Sequence, residues 1–203
     1  ESNIKATLDA YDLKNINIVD YQVKLDATRD IEIWGTQKHF ENIPVWDREY
    51  LIDGYQQLQG IRPYYHFESV DEDRYYLNDH IQQVNLSARE LNPDKLPLAA
   101  KNWENIHLRY THGYGAVVTP AAQDAGKPII WYLRDLNMQS NVDFSVKSPD
   151  IYFGQEKYNY AIVPNDLDVM GLAGSDKGAN QTYQGQAGIP IPSMFRKLLF
   201  AFY

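Results

Sequence analysis

With 203 residues the chain is long enough for one sizeable core, and its hydrophobic and charged fractions, 44% and 23%, are those of a globular protein. A net charge of −8 and an isoelectric point near 5.0 disfavour nucleic acid and anionic headgroups as partners. The lack of cysteine excludes disulfides, thiolate catalysis, zinc–thiolate sites and iron–sulfur clusters.

Residues 2–11 read as a short amphipathic helix, capped by Ser2 or Asn3, with Ile4, Leu8 and Tyr11 on one stripe. Residues 18–25 alternate, with Val19, Tyr21, Val23 and Leu25 on one face, which predicts a half-buried strand. A second helix runs to Gln59 from an Asp47 cap, with Leu51, Tyr55 and Leu58 as its stripe and Gly60 as its C-cap. Pro63 stops it, and an aromatic extended segment follows through Phe67. The acidic run Asp71-Glu72-Asp73 reads as a solvated turn before a hairpin, whose tight turn is Asn78-Asp79. In its second strand Val84, Leu86 and Ala88 face inward, and Asn85, Ser87 and Arg89 outward.

Asn92-Pro93-Asp94 turns the chain, and Pro97 opens a helix with Ala99, Trp103, Ile106 and Tyr110 as a buried stripe. Gly113 supplies a left-handed exit into a strand over residues 115–119. A turn at Asp124-Ala125-Gly126-Lys127 leads to a partner strand over residues 129–136. Shorter strands are expected at residues 151–153 and 158–163, a loop at 164–180, and a last helix from Met194, capped by Ser193 and apolar on every side at its end. The expectation is one α+β domain over residues 1–203, a mostly antiparallel sheet with three to four packed helices. The sixteen tyrosines suit the rim of such a core.

Candidate chemistry gathers at the corner over residues 103–120. His107, Arg109 and His112 could polarise a carbonyl or hold an anion. The competing explanation is structural: His107 shares the side of Trp103 and Tyr110, and a histidine at a helix end complements the dipole. Tyr114, Arg62 and Tyr64 are binding candidates beside it. Weak oxygen donors for calcium are Asp71, Asp73, Asp166 and Asp168, without calcium-loop spacing, so no metal or other cofactor is expected. Gly-x-Ser-x-Gly and phosphate-loop patterns are missing.

Several strings carry a resemblance over nearly the whole chain. They include Asn3-Ile4-Lys5-Ala6-Thr7, Ile61-Arg62-Pro63-Tyr64-Tyr65, Asp73-Arg74-Tyr75, Leu86-Ser87-Ala88-Arg89-Glu90-Leu91, Pro149-Asp150-Ile151-Tyr152 and Gly188-Ile189-Pro190. The most specific is His107-Leu108-x-Tyr110-Thr111-His112-Gly113-Tyr114-Gly115. In these strings the chain resembles a bacterial family of multi-pass membrane proteins known only as uncharacterised protein family 0182. Ala187 departs from the Gly-Gly common there, and residues 121–146 match weakly.

The resemblance implies transmembrane helices before Glu1, a long region outside the cytoplasmic membrane of which this chain is an excised fragment, and continuation past the apolar C-terminal stretch. It brings no activity, cofactor or catalytic residue. The expected partners are therefore the transmembrane portion of the same polypeptide and other envelope proteins, with a role in binding or assembly. The rival expectation is an envelope hydrolase or transferase acting near His107, Arg109 and His112.

Overall fold

The computed structural model describes residues 2–10, 13, 17, 19–20, 42–124, 126–157, 160–165, 167, 183 and 185–202. Most of the strand expected over residues 18–25 and most of the 164–180 loop lie outside them. The chain divides into two units, Glu1–His39 and Phe40–Tyr203. In the first, α1 spans Ser2–Ala10 with no buried residue, and Tyr11 of the expected helix lies outside the described residues.

The second unit is an α+β arrangement of antiparallel sheets with helices. Helix α2, Arg48–Gln59, starts where the cap predicts: the Asp47 carboxylate accepts the Glu49 amide at 2.9 Å. Leu51 and Tyr55 are buried as expected, but Leu58 is exposed and Gln59 takes its place inside. Gly60 ends the helix in right-handed geometry, and the left-handed residue is Ile61, with φ of 57°.

The strands are β1 (Tyr65–His66), β2 (Asp71–Leu77), β3 (His80–Ala88), β4 (Glu90–Leu91), β5 (Gly113–Tyr114), β6 (Ala116–Pro120), β7 (Leu133–Arg134), β8 (Gln139–Ser140) and β9 (Asp150–Ile151). The main sheet has the order β2-β3-β6-β7-β8, antiparallel at every step, and two small sheets pair β1 with β4 and β5 with β9. The β2–β3 turn forms as its residues dictate, with Asn78 and Asp79 at φ of 50° and 66°. The acidic run is not a turn but the start of edge strand β2.

Both faces of the main sheet are covered, which corrects the inside–outside assignment on β3. Cross-strand register sets Asn85 opposite Thr119 and Ser87 opposite Val117, on one face. All four are buried, because α2 lies over them: Tyr55 Oη hydrogen-bonds Thr119 Oγ1 at 2.7 Å, and Val117 packs with Leu51, Tyr55 and Phe67. Val84, Val118, Leu133 and Leu77 form the core of the opposite face, under Tyr75, Tyr132 and Phe144. Alternation identifies two faces but does not reveal that both are covered.

Arg89, expected outside, is fully buried. Its Nε donates to the Gln59 carbonyl at 2.9 Å and its Nη1 to the Tyr114 carbonyl at 3.0 Å, while the guanidinium sits 5.5 Å from the Phe67 ring centre. It therefore ties the end of α2 to β5. Burial pulls its pKa down to about 10.

Candidate functional site

The helix expected after Pro97 is replaced by a 3₁₀ turn, Leu98–Ala100, and a π-helical turn, Asn105–Arg109. Trp103 is 43% exposed, so only Ile106 and Tyr110 of the predicted stripe reach the interior. The π turn closes from the Tyr110 amide to the Asn105 carbonyl at 2.8 Å. The carbonyls of His107 and Leu108 instead bond outward, to the Ile162 amide at 2.8 Å and the Asn165 side-chain amide at 2.9 Å. Those bonds hold residues 160–165 against the turn as an irregular strap, where a strand was expected over 158–163.

Each signature side chain has its own partner. His107 Nδ1 faces the Tyr160 carbonyl at 2.9 Å, and its ring stacks on Tyr160 with centres 4.0 Å apart. Arg109 Nε donates to Glu104 at 2.8 Å. His112 is buried, with Nδ1 2.9 Å from the Thr111 hydroxyl and Nε2 3.3 Å from Asp150 Oδ1. Burial lowers the His112 pKa against the opposing pull of Asp150. The ring is thus neutral near pH 7, with its Nε2–H donating to Asp150 and its Nδ1 accepting from Thr111. The order hydroxyl–imidazole–carboxylate resembles a nucleophile triad, but Thr111 is only 3% exposed and a substrate has no approach to it.

The two histidines stand next to a cavity of about 840 Å³ without lining it. Its wall carries Trp103, Tyr152, Tyr160, Tyr183 and Phe200. Tyr160 is the ring on which His107 stacks, and Tyr152 stacks on His112 with centres 4.4 Å apart. Burial, with Asp150 nearby, pushes the Tyr152 phenol up to about 12. The cavity is therefore an aromatic, largely uncharged space of the kind that takes an apolar or ring-bearing group.

Of the other predicted residues, Tyr64 is half-buried against Tyr65 and Tyr110, and Tyr114 is half-buried in β5. Arg62 is exposed. None of the three lines the cavity. Asp71 and Asp73 are exposed on β2 and take part in local bonds, to Ser69 and to the Arg74 amide. Asp166 and Asp168 lie outside the described residues. Gly113 is not the left-handed exit; Gly115 is, with φ of 74°. Gly113 is small for another reason, since a Cβ there would meet the backbone of Arg89 and Glu90.

Sequence reasoning missed the tyrosines of the cavity wall, which come from separate loops. From the sequence Glu68 reads only as an oxygen donor near the acidic run, and His66 and Glu156 were missed; the donor atoms of the three lie within 4.8 Å of one another. The spacing of His66 and Glu68 on an extended segment, two residues apart and on one face, was the available signal.

The model of the Uncharacterised protein family UPF0182 matches residues 1–203. The chain belongs to that family. A UPF0182 protein of Methylococcus capsulatus is 55% identical over 201 residues, covering 99% of this chain and 22% of the relative. UPF0182 proteins of Syntrophobacter fumaroxidans and Nitrosococcus oceani are 42% and 41% identical, each over 100% of this chain and 23% of their own length. The chain thus spans under a quarter of these curated UPF0182 relatives. No solved structure matches it. No described helix is long and apolar enough to cross a membrane.

Proposed function

We propose that this UPF0182 segment is a non-catalytic part of the extracytoplasmic region of a multi-pass membrane protein, and that its role is assembly with the rest of its own polypeptide. One observation carries the reading. The helix α3, Met194–Phe202, is capped by Ser193 and well formed, yet Met194, Phe195, Leu198, Leu199 and Phe202 are 82, 70, 59, 54 and 84% exposed. A face of that size left to water marks a contact surface. The curated relatives carry more than three-quarters of their length outside the matching segment, so the natural occupant is another part of the same chain. The signature residues support a structural part in this reading: His107, Arg109 and His112 are each engaged by a different partner, and none lines the cavity.

The segment contains no cysteine, so single cysteines report on it cleanly. In the full-length protein, freed of other cysteines, Asp79→Cys reacts with a membrane-impermeant maleimide on intact cells. Phe195→Cys is protected there and becomes reactive in the isolated 203-residue chain. An unreactive Asp79→Cys that labels only after lysis contradicts the location. A Phe195→Cys that labels equally in both contexts contradicts the docking.

A further inference from the structure

We infer that His66, Glu68 and Glu156 bind a divalent transition ion of the zinc type. The three donor atoms come from strand β1, the residues just after it, and a loop some ninety positions later, yet they converge. His66 Nε2 is 3.3 Å from Glu68 Oε2 and 3.9 Å from Glu156 Oε2. Ligands around an ion with bonds of roughly 2.1 Å sit about 3.0–3.4 Å apart, so small side-chain adjustments complete the triangle. One imidazole with two carboxylates suits a borderline ion, whereas calcium and magnesium prefer oxygen alone.

The surrounding structure holds these groups ready. Glu90 pairs with His66 across the β1–β4 ladder and is itself buried. Its two carboxylate oxygens accept the amides of Gln155 and Glu156 at 3.0 and 2.7 Å. That grip fixes the loop bearing Glu156, and Gly154 permits it, since a Cβ there would run into the Glu90 carboxylate. Glu156 Oε2 is buried and has no hydrogen-bond partner among the described residues, an expense that an ion would relieve. Behind the imidazole, Gln56 is locked: its amide donates to the Tyr65 carbonyl at 3.0 Å and its Oε1 accepts the Phe67 amide at 3.3 Å. The same Oε1 is 3.2 Å from His66 Nδ1, the usual outer partner that directs the Nε2 lone pair to a metal.

Lys95 Nζ also approaches His66 Nδ1, at 2.8 Å. An ammonium there requires an unprotonated Nδ1 and so the wrong tautomer for binding. Lys95 is exposed and can swing away, which makes it a competitor that metal binding displaces. Glu156 also lines the aromatic cavity, so a bound ion would sit at the margin of that space.

The test is calorimetric titration of the chelator-treated 203-residue chain with zinc chloride, with calcium chloride as comparator. Expected are one zinc per chain, a raised melting temperature, and calcium binding at least a hundredfold weaker. Glu68→Gln and Glu156→Gln each weaken zinc at least tenfold, while Lys95→Met binds as tightly as the parent or more tightly. Glu68 is half-exposed, so its variant keeps the metal-free melting temperature and remains decisive even where Glu156→Gln fails to fold. No saturable zinc, unchanged affinity in Glu68→Gln, or calcium bound as tightly as zinc overturns the proposal.

Discussion

Arg89 shows how one side chain can organise several elements. It is fully buried, and no carboxylate stands within ion-pair distance of it among the described salt bridges. Its donors satisfy the carbonyls of Gln59 and Tyr114 and the side-chain oxygen of Gln59, which in turn accepts the Asp135 amide at 2.7 Å. Arg89→Met keeps much of the volume but strands those acceptors. It should cost about 3 kcal/mol of unfolding free energy, read from urea denaturation. A loss under ~1 kcal/mol would mean that the clamp is dispensable. His112 makes a second prediction. Burial depresses its pKa in the folded chain below the ordinary 6.5. As pH falls through 6.5 the unfolded chain takes up a proton that the folded chain refuses, so stability is full above that pH and declines between it and the depressed folded value. His112→Gln should flatten the decline over that window in melting temperature against pH; an unchanged slope would place the acid sensitivity elsewhere.

At the scale of elements, periodicity and caps succeeded where a local cause decides the outcome. Asp47 starts α2, Asn78-Asp79 turns the hairpin, and Ser193 starts α3. Reading failed where partners distant in sequence decide. The outward face of β3 is buried because α2 covers it, and Arg89 is inside because Gln59 and Tyr114 meet it there. The turn Asn105–Arg109 is π rather than α because the strap at residues 160–165 takes its outward carbonyls. The signature stretch was legible as a corner and not as a wall: the cavity it backs is lined by Tyr152, Tyr160 and Tyr183, from loops without a periodic signal. Gly113 stands where β5 passes β4. Gly113→Ala forces the β4 backbone away and should cost about 2–3 kcal/mol, with tertiary near-ultraviolet signal weakened before far-ultraviolet signal on denaturation. A neutral result would show that β4 and β5 have room to separate.

For the whole molecule, the family is established and names no reaction. The chain is a UPF0182 segment with antiparallel sheets, helices and an aromatic cavity. The apolar composition of its C-terminal stretch was plain in the sequence, and the five exposed side chains of α3 turn that composition into a surface. What covers it is the central claim. The most direct measurement is photo-crosslinking in the full-length protein, with benzophenone-alanine in place of Phe195 and, as control, in place of the equally exposed Tyr76, at 70 and 69%. Our account predicts an intramolecular crosslink from position 195 to a peptide outside these 203 residues, and none from position 76. Crosslinks from position 195 only to other proteins, or none above the position-76 control, would contradict it.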